Sequence, residues 1–90
     1  MALQTQPNVT LNSMWKVVAD NATQVIVQLV DGPSAVIYIG ASAPAAGFTG
    51  GHVLSMTGDR SLPISGLTTE KVYGLALYVD SGAILAVTKG

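Results

Sequence analysis

Apolar residues along this chain fall in short runs separated by clusters of turn formers, the spacing of a small sandwich or barrel. The pattern predicts strands over residues 14–19, 24–30, 35–39, 52–56, 61–64, 71–79 and 83–88. The run 24–30 (QVIVQLV) is rich in β-branched residues, which suit a pleated surface. Residues 20–23, 31–34 and 57–60 read as turns, with Gly32 supplying positive φ and Pro33 a fixed φ. Pro63 places its short strand at a sheet edge, because proline cannot donate to a ladder. Asp80, Ser81 and Gly82 between the last two runs predict a closing hairpin. Apolar positions recur at period 2 and glycine punctuates the intervals, so no helix longer than about two turns is expected.

Two stretches break the rhythm. Residues 40–51 (GASAPAAGFTGG) carry too much Gly, Ala and Pro for a strand and form a long connection. Residues 1–13 (MALQTQPNVTLNS) are polar and lack turn chemistry. They read as an extended N-terminal arm, the alternative being a disordered terminus. The expected organisation is therefore an arm, 1–13, and a single β domain, 14–90. The expected fold is all-β, a small antiparallel β-sandwich or jelly-roll-like barrel.

Several strands are apolar on both faces, where a half-buried strand alternates apolar with polar. Val25, Val27 and Leu29 share one face of their run; Ile26 and Val30 share the other with Gln28. Val36 and Tyr38 oppose Ala35, Ile37 and Ile39, and Leu75, Leu77 and Val79 oppose Ala76 and Tyr78. No helical pattern is present to cover a second face. A neighbouring subunit is one cover; a sandwich with merely weakly polar outer faces is the other reading. Ile26, Val30, Ile37 and Ile39 are the expected oligomer-interface residues. Trp15, the only tryptophan, sits beside Val17 and Val18 and is expected to be mostly buried.

Composition strengthens the assembly reading. The chain has 90 residues, one domain's worth, and a core of that size leaves a small stability margin. It has no cysteine, which removes disulfides and thiolate metal sites, and one histidine, which makes a structural zinc site implausible. Oligomerisation is the remaining device. Charged residues are 10% of the chain against roughly 25% in an ordinary domain. A net charge of −1 offers no footprint for nucleic acid or an anionic membrane. No run approaches the length of a membrane span, and the first residues lack the basic and apolar regions of a signal peptide. Synthesis in a cytoplasm is expected.

Candidate chemistry is sparse. His52 with Ser42, Ser55 and Asp59 can be written as a nucleophile–base–acid set, but no G-x-S-x-G elbow accompanies it. His52 reads better as a surface or interface residue, and the protein as a non-enzyme. Asp20, Asp31, Asp59 and Asp80 sit in turns, where Asp caps local amides, and no D-x-D-x-D cluster suits calcium. The glycines around Phe48 lack the Gly-Lys-Ser/Thr of a phosphate loop. No cofactor is expected. The aromatics, without interleaved basic residues, suit packing rather than nucleic-acid stacking.

The order Trp15-Lys16-Val17-Val18-Ala19-Asp20, then the run 24–30, then Ser42-Ala43-Pro44-Ala45-Ala46, Gly51-His52-Val53-Leu54, Leu67-Thr68 and Lys71-Val72-Tyr73 resembles small virion proteins of tailed bacteriophages. The likeness spans residues 14–88 in short apolar motifs and carries over no catalytic residue. It implies a virion structural protein: a capsid decoration (cement) protein that binds and stabilises the assembled shell, or a tail fibre, spike or adaptor subunit. A small ligand-binding β-domain with Trp15 or Phe48 as its platform is a third reading. The expected partners are further copies of the chain, as a homotrimer, and the major capsid protein or another virion protein. Leu3, Val9, Leu11 and Phe48 are the expected capsid- or partner-binding residues, with the arm lying on the neighbour by main-chain pairing.

Overall fold

The run 24–30 folds as its alternation dictates. Val25, Val27 and Leu29 are fully buried, whereas Gln24, Ile26, Gln28 and Val30 face outward. The computed structural model describes residues 3–12, 14–32, 34–44, 51–55, 57–76 and 82–90. Those residues form eight strands: β1 Gln4–Leu11, β2 Lys16–Ala19, β3 Gln24–Asp31, β4 Ser34–Gly40, β5 His52–Ser55, β6 Ser61–Ser65, β7 Lys71–Ala76 and β8 Ala83–Lys89. No helix is present among them.

The strands make two four-stranded sheets, ordered β1-β8-β3-β6 and β2-β7-β4-β5. Every pairing is antiparallel. Of the connections, only β4 to β5 stays within a sheet; each of the others crosses to the facing sheet. This winding is that of a jelly roll, the double-sheet closure of eight antiparallel strands. The expected closing hairpin of the last two strands is therefore corrected. β7 and β8 lie in different sheets and pair with β2 and β4, and with β1 and β3, respectively. The period-2 pattern of each strand was compatible with either arrangement, because it does not name the strand's neighbour.

The core fills the space between the sheets. Val25, Val27, Leu29, Leu85 and Val87 project from one sheet, and Ala35, Ile37, Leu54, Val72 and Ala76 from the other. Fully burying a Val, Leu or Ile side chain contributes about 1.5–3 kcal/mol, so these positions supply most of the stabilising term.

The N-terminal arm is extended, as expected, yet it belongs to the sandwich. β1 pairs along β8 from Gln4↔Lys89 to Leu11↔Ala83. Between Gln6↔Val87 and Val9↔Leu85 the register slips, so that Pro7 and Asn8 together oppose Ala86. The bulge sits at a sheet edge, the place where a strand tolerates proline. Leu11 is 1% exposed and Val9 packs against the core. The boundary drawn at residue 13 thus divides a single packed unit.

Two turns bear out the turn chemistry. Gly32 adopts φ 98°, and a Cβ there would run into the Gly82 carbonyl oxygen, so only glycine fits. Asn21, between β2 and β3, has φ 51°, a left-handed conformation that asparagine tolerates better than most residues.

Candidate interaction surfaces

The outer faces of the two sheets differ. On the sheet β1-β8-β3-β6 the centre is open. Ile26 is 37% exposed and Val30 43%, with the exposed amides of Gln24 and Gln28 in the same row. Across the β3–β8 ladder these meet Thr88 opposite Ile26 and Ala86 opposite Gln28, both half-buried. On the far side, β6 sets Pro63 opposite Ile26 and Ser61 opposite Gln28. Small and uncharged side chains thus flank Ile26 and Gln28, while Val30 lies at the register slip between Leu29 and Asp31.

The outer face of β2-β7-β4-β5 has a covered centre. Val36, opposite Leu75 on β7 and Val53 on β5, is 0% exposed; Leu75 is 6% and Tyr73 5%. Rings contribute to that cover. Tyr38 pairs across the ladder with Tyr73, at 6.4 Å between ring centroids. Trp15 approaches Tyr38 edge-on, with centroids 5.9 Å apart and planes at 60°. Such edge-to-face contacts are a favoured aromatic geometry. Trp15 itself is half-buried, less than expected, because it stands at the rim just before β2. Val17 and Val53 form the exposed margins of this face.

The four sheet edges carry features that oppose strand addition. Lys16 of β2 reaches over to β1 and donates from Nζ to the Thr10 carbonyl at 3.2 Å, so the two open edges on that side share a lysine. β1 also has its Pro7 bulge and β2 a register slip between Val17 and Ala19. On the other side, β6 carries Pro63 and β5 is only four residues long. Lysine, proline, bulges and shortness are the usual guards of exposed edges.

The expected site residues fall into three groups. Ile26 and Val30 lie together on the open face. Ile37 is corrected: it is 0% exposed and points into the core, with Ile39 packed against that core. Both faces of β4 are apolar, and the facing sheet took the Ala35–Ile37 side. Among the arm residues, Leu11 and Val9 are likewise committed to the interior, and Leu3 is 42% exposed at the strand's far end. Phe48 lies outside the described residues. The exposed amides of Gln24 and Gln28 stand in the same row as Ile26, a polar spacing of four within an apolar strand.

Chemistry at these surfaces is limited. His52 is exposed on edge strand β5, as are Ser42 and Asp59 in their loops. No group of three or more His, Cys, Asp or Glu suited to a metal ion occurs among the described residues. Lys89 Nζ donates to the Asp20 carbonyl at 3.1 Å and stands 3.9 Å from its carboxylate, a contact that joins the end of β8 to the β2–β3 turn. Glu70 accepts from the Thr68 backbone amide at 2.9 Å and from its hydroxyl at 3.3 Å, and the amide bond above all holds its pKa below the ordinary 4.5. Both are local structural arrangements in turns. Comparison of the chain with protein-family models, with curated proteins and with solved structures found no match.

Proposed function

We propose that this protein is a structural subunit of a bacteriophage virion, a capsid decoration protein that binds the assembled shell and stabilises it. It acts without catalysis and assembles with further copies of itself. The observation that carries the reading of an assembling structural subunit is the open, uncharged sheet face bearing Ile26 and Val30, on a chain with only 10% charged residues. Exposed apolar area framed by polar side chains marks a surface made for contact. The resemblance of the strand motifs to small phage virion proteins supplies the setting.

The mechanism is linkage. A protein that binds the assembled lattice, and not its separated subunits, shifts the assembly equilibrium toward the lattice by mass action. Guarded edges keep free copies from pairing edge to edge before they reach the shell, so contacts are made by side chains and not by strand addition.

Mixing the purified protein with undecorated capsids tests the proposal. The expected result is co-sedimentation to a saturating number of copies spread over the shell, with a raised capsid melting temperature. Absence of binding to capsids, with a few copies found at the tail of the complete particle, would assign the protein to a fibre, spike or adaptor instead.

A further inference from the structure

The features at the four edges leave the faces as the contact surfaces, and one face already has a covered centre at Val36, Tyr73 and Leu75. The outer face of β1-β8-β3-β6 is the open one. Its middle lies at Gln28, on central strand β3, with half-buried Ala86 directly opposite on central strand β8. Between Gln24 and Val30 of β3, and between Ile84 and Thr88 of β8, there is no charged residue. Among the described residues, the nearest charges stand at the ends of the strands: Asp31 and Arg60 at one end, Lys89 at the other.

We infer, building on the self-association proposed above but with a dimer in place of the homotrimer expected from the sequence, that the occupant of this face is a second copy of the same chain, related by a two-fold axis passing beside Gln28. In such a contact each group near the axis meets its own kind. A carboxylate or ammonium there would face a like charge. A carboxamide has both donors and an acceptor, so Gln28 can bond to Gln28 of the copy. Ile26 and Val30 flank Gln28 at two residues on either side. With the axis along β3, Ile26 meets Ile26 and Val30 meets Val30 of the copy; with the axis across β3, Ile26 meets Val30. The half-buried Ala86 leaves room beside the amide.

The size is sufficient. Four strands about 4.8 Å apart, each residue rising about 3.3 Å over the length of β3, outline roughly 500 Å². Two copies would bury about 1,000 Å², the lower bound for a specific interface. A different protein covering the same face gains nothing from the absence of charge, since opposite charges across a heterologous contact add specificity.

The test is molecular mass in solution, by sedimentation equilibrium at neutral pH and low salt, of the full chain and of two variants, Gln28→Glu and Gln28→Lys. The wild type is expected at twice its 9.2 kDa chain mass. Each variant is expected to return to one chain mass, because two like charges then meet at the axis. An equimolar mixture of the two is expected to restore the dimer. Gln28 is exposed, so both variants should retain the wild-type circular dichroism spectrum; should one fail to fold, the other still reads the face. A wild type that stays monomeric at high concentration overturns the inference together with self-association. An oligomer untouched by either charge overturns this face alone. Variants that dissociate but do not recombine overturn the two-fold arrangement. Capsid binding, read separately, does not enter any of these outcomes.

Discussion

The side chain of Leu11 occupies the space that a side chain on Gly74 would need. A Cβ placed on Gly74 would stand 2.9 Å from Leu11 Cδ2 and 3.0 Å from Cδ1, and 2.8 Å from Val18 Cγ2. The first strand of one sheet is thereby seated against the central β7 of the other.

This contact predicts a coupled pair of substitutions. Gly74→Ala alone pushes a methyl into a filled space and should cost about 1–3 kcal/mol. Leu11→Ala alone leaves a cavity and should cost about 2–5 kcal/mol. Combined, the new methyl enters part of the vacated volume, so the double variant should be more stable than the sum of the two losses implies. Chemical denaturation of all four proteins measures the coupling. Strict additivity would show that the two positions do not share this space.

A second prediction concerns the N-terminal strand as a whole. Deleting residues 2–12 removes β1, uncovers the edge of β8 and takes Leu11 and Val9 out of the core. The shortened protein should lose its cooperative thermal transition, or melt far below the parent. A detachable arm predicts an unchanged melting temperature. Differential scanning calorimetry of the two chains separates these outcomes.

The third concerns Trp15. Full burial of a tryptophan makes its replacement by alanine cost about 3–5 kcal/mol. Trp15 is half-buried and held at the rim by its edge contact with Tyr38. Trp15→Ala should therefore cost less, about 1.5–3 kcal/mol from partial apolar burial and one aromatic pair. Tyr38→Ala should shift the tryptophan emission of the otherwise intact protein to longer wavelength, as the indole loses its neighbour. Emission identical to the parent would place the indole elsewhere.

The strands of this protein were legible one at a time. A period of two in the side chains, glycine and proline at the breaks and β-branched residues in the runs act within a few positions of the chain. They yielded seven strands within two residues of where they stand, apart from the end of β7, since residues 77–79 lie outside the described set. They also yielded the inward row Val25, Val27 and Leu29, because its opposite row contains glutamine. What involved partners far apart in sequence was not legible. β1 has no apolar alternation of its own; it is a strand because β8 presents an unpaired row of backbone amides and carbonyls, and main-chain bonds ask little of side chains. In β4 the rows Ala35–Ile37 and Val36–Tyr38 are both apolar, so local pattern had no basis for choosing the interior. The choice came from the facing sheet, which buried Ile37 in the core and left Val36 to the outer face. The same long-range pairing carried β7 and β8 into different sheets and wound the chain as a jelly roll, because strand neighbours are chosen by residues far apart in sequence.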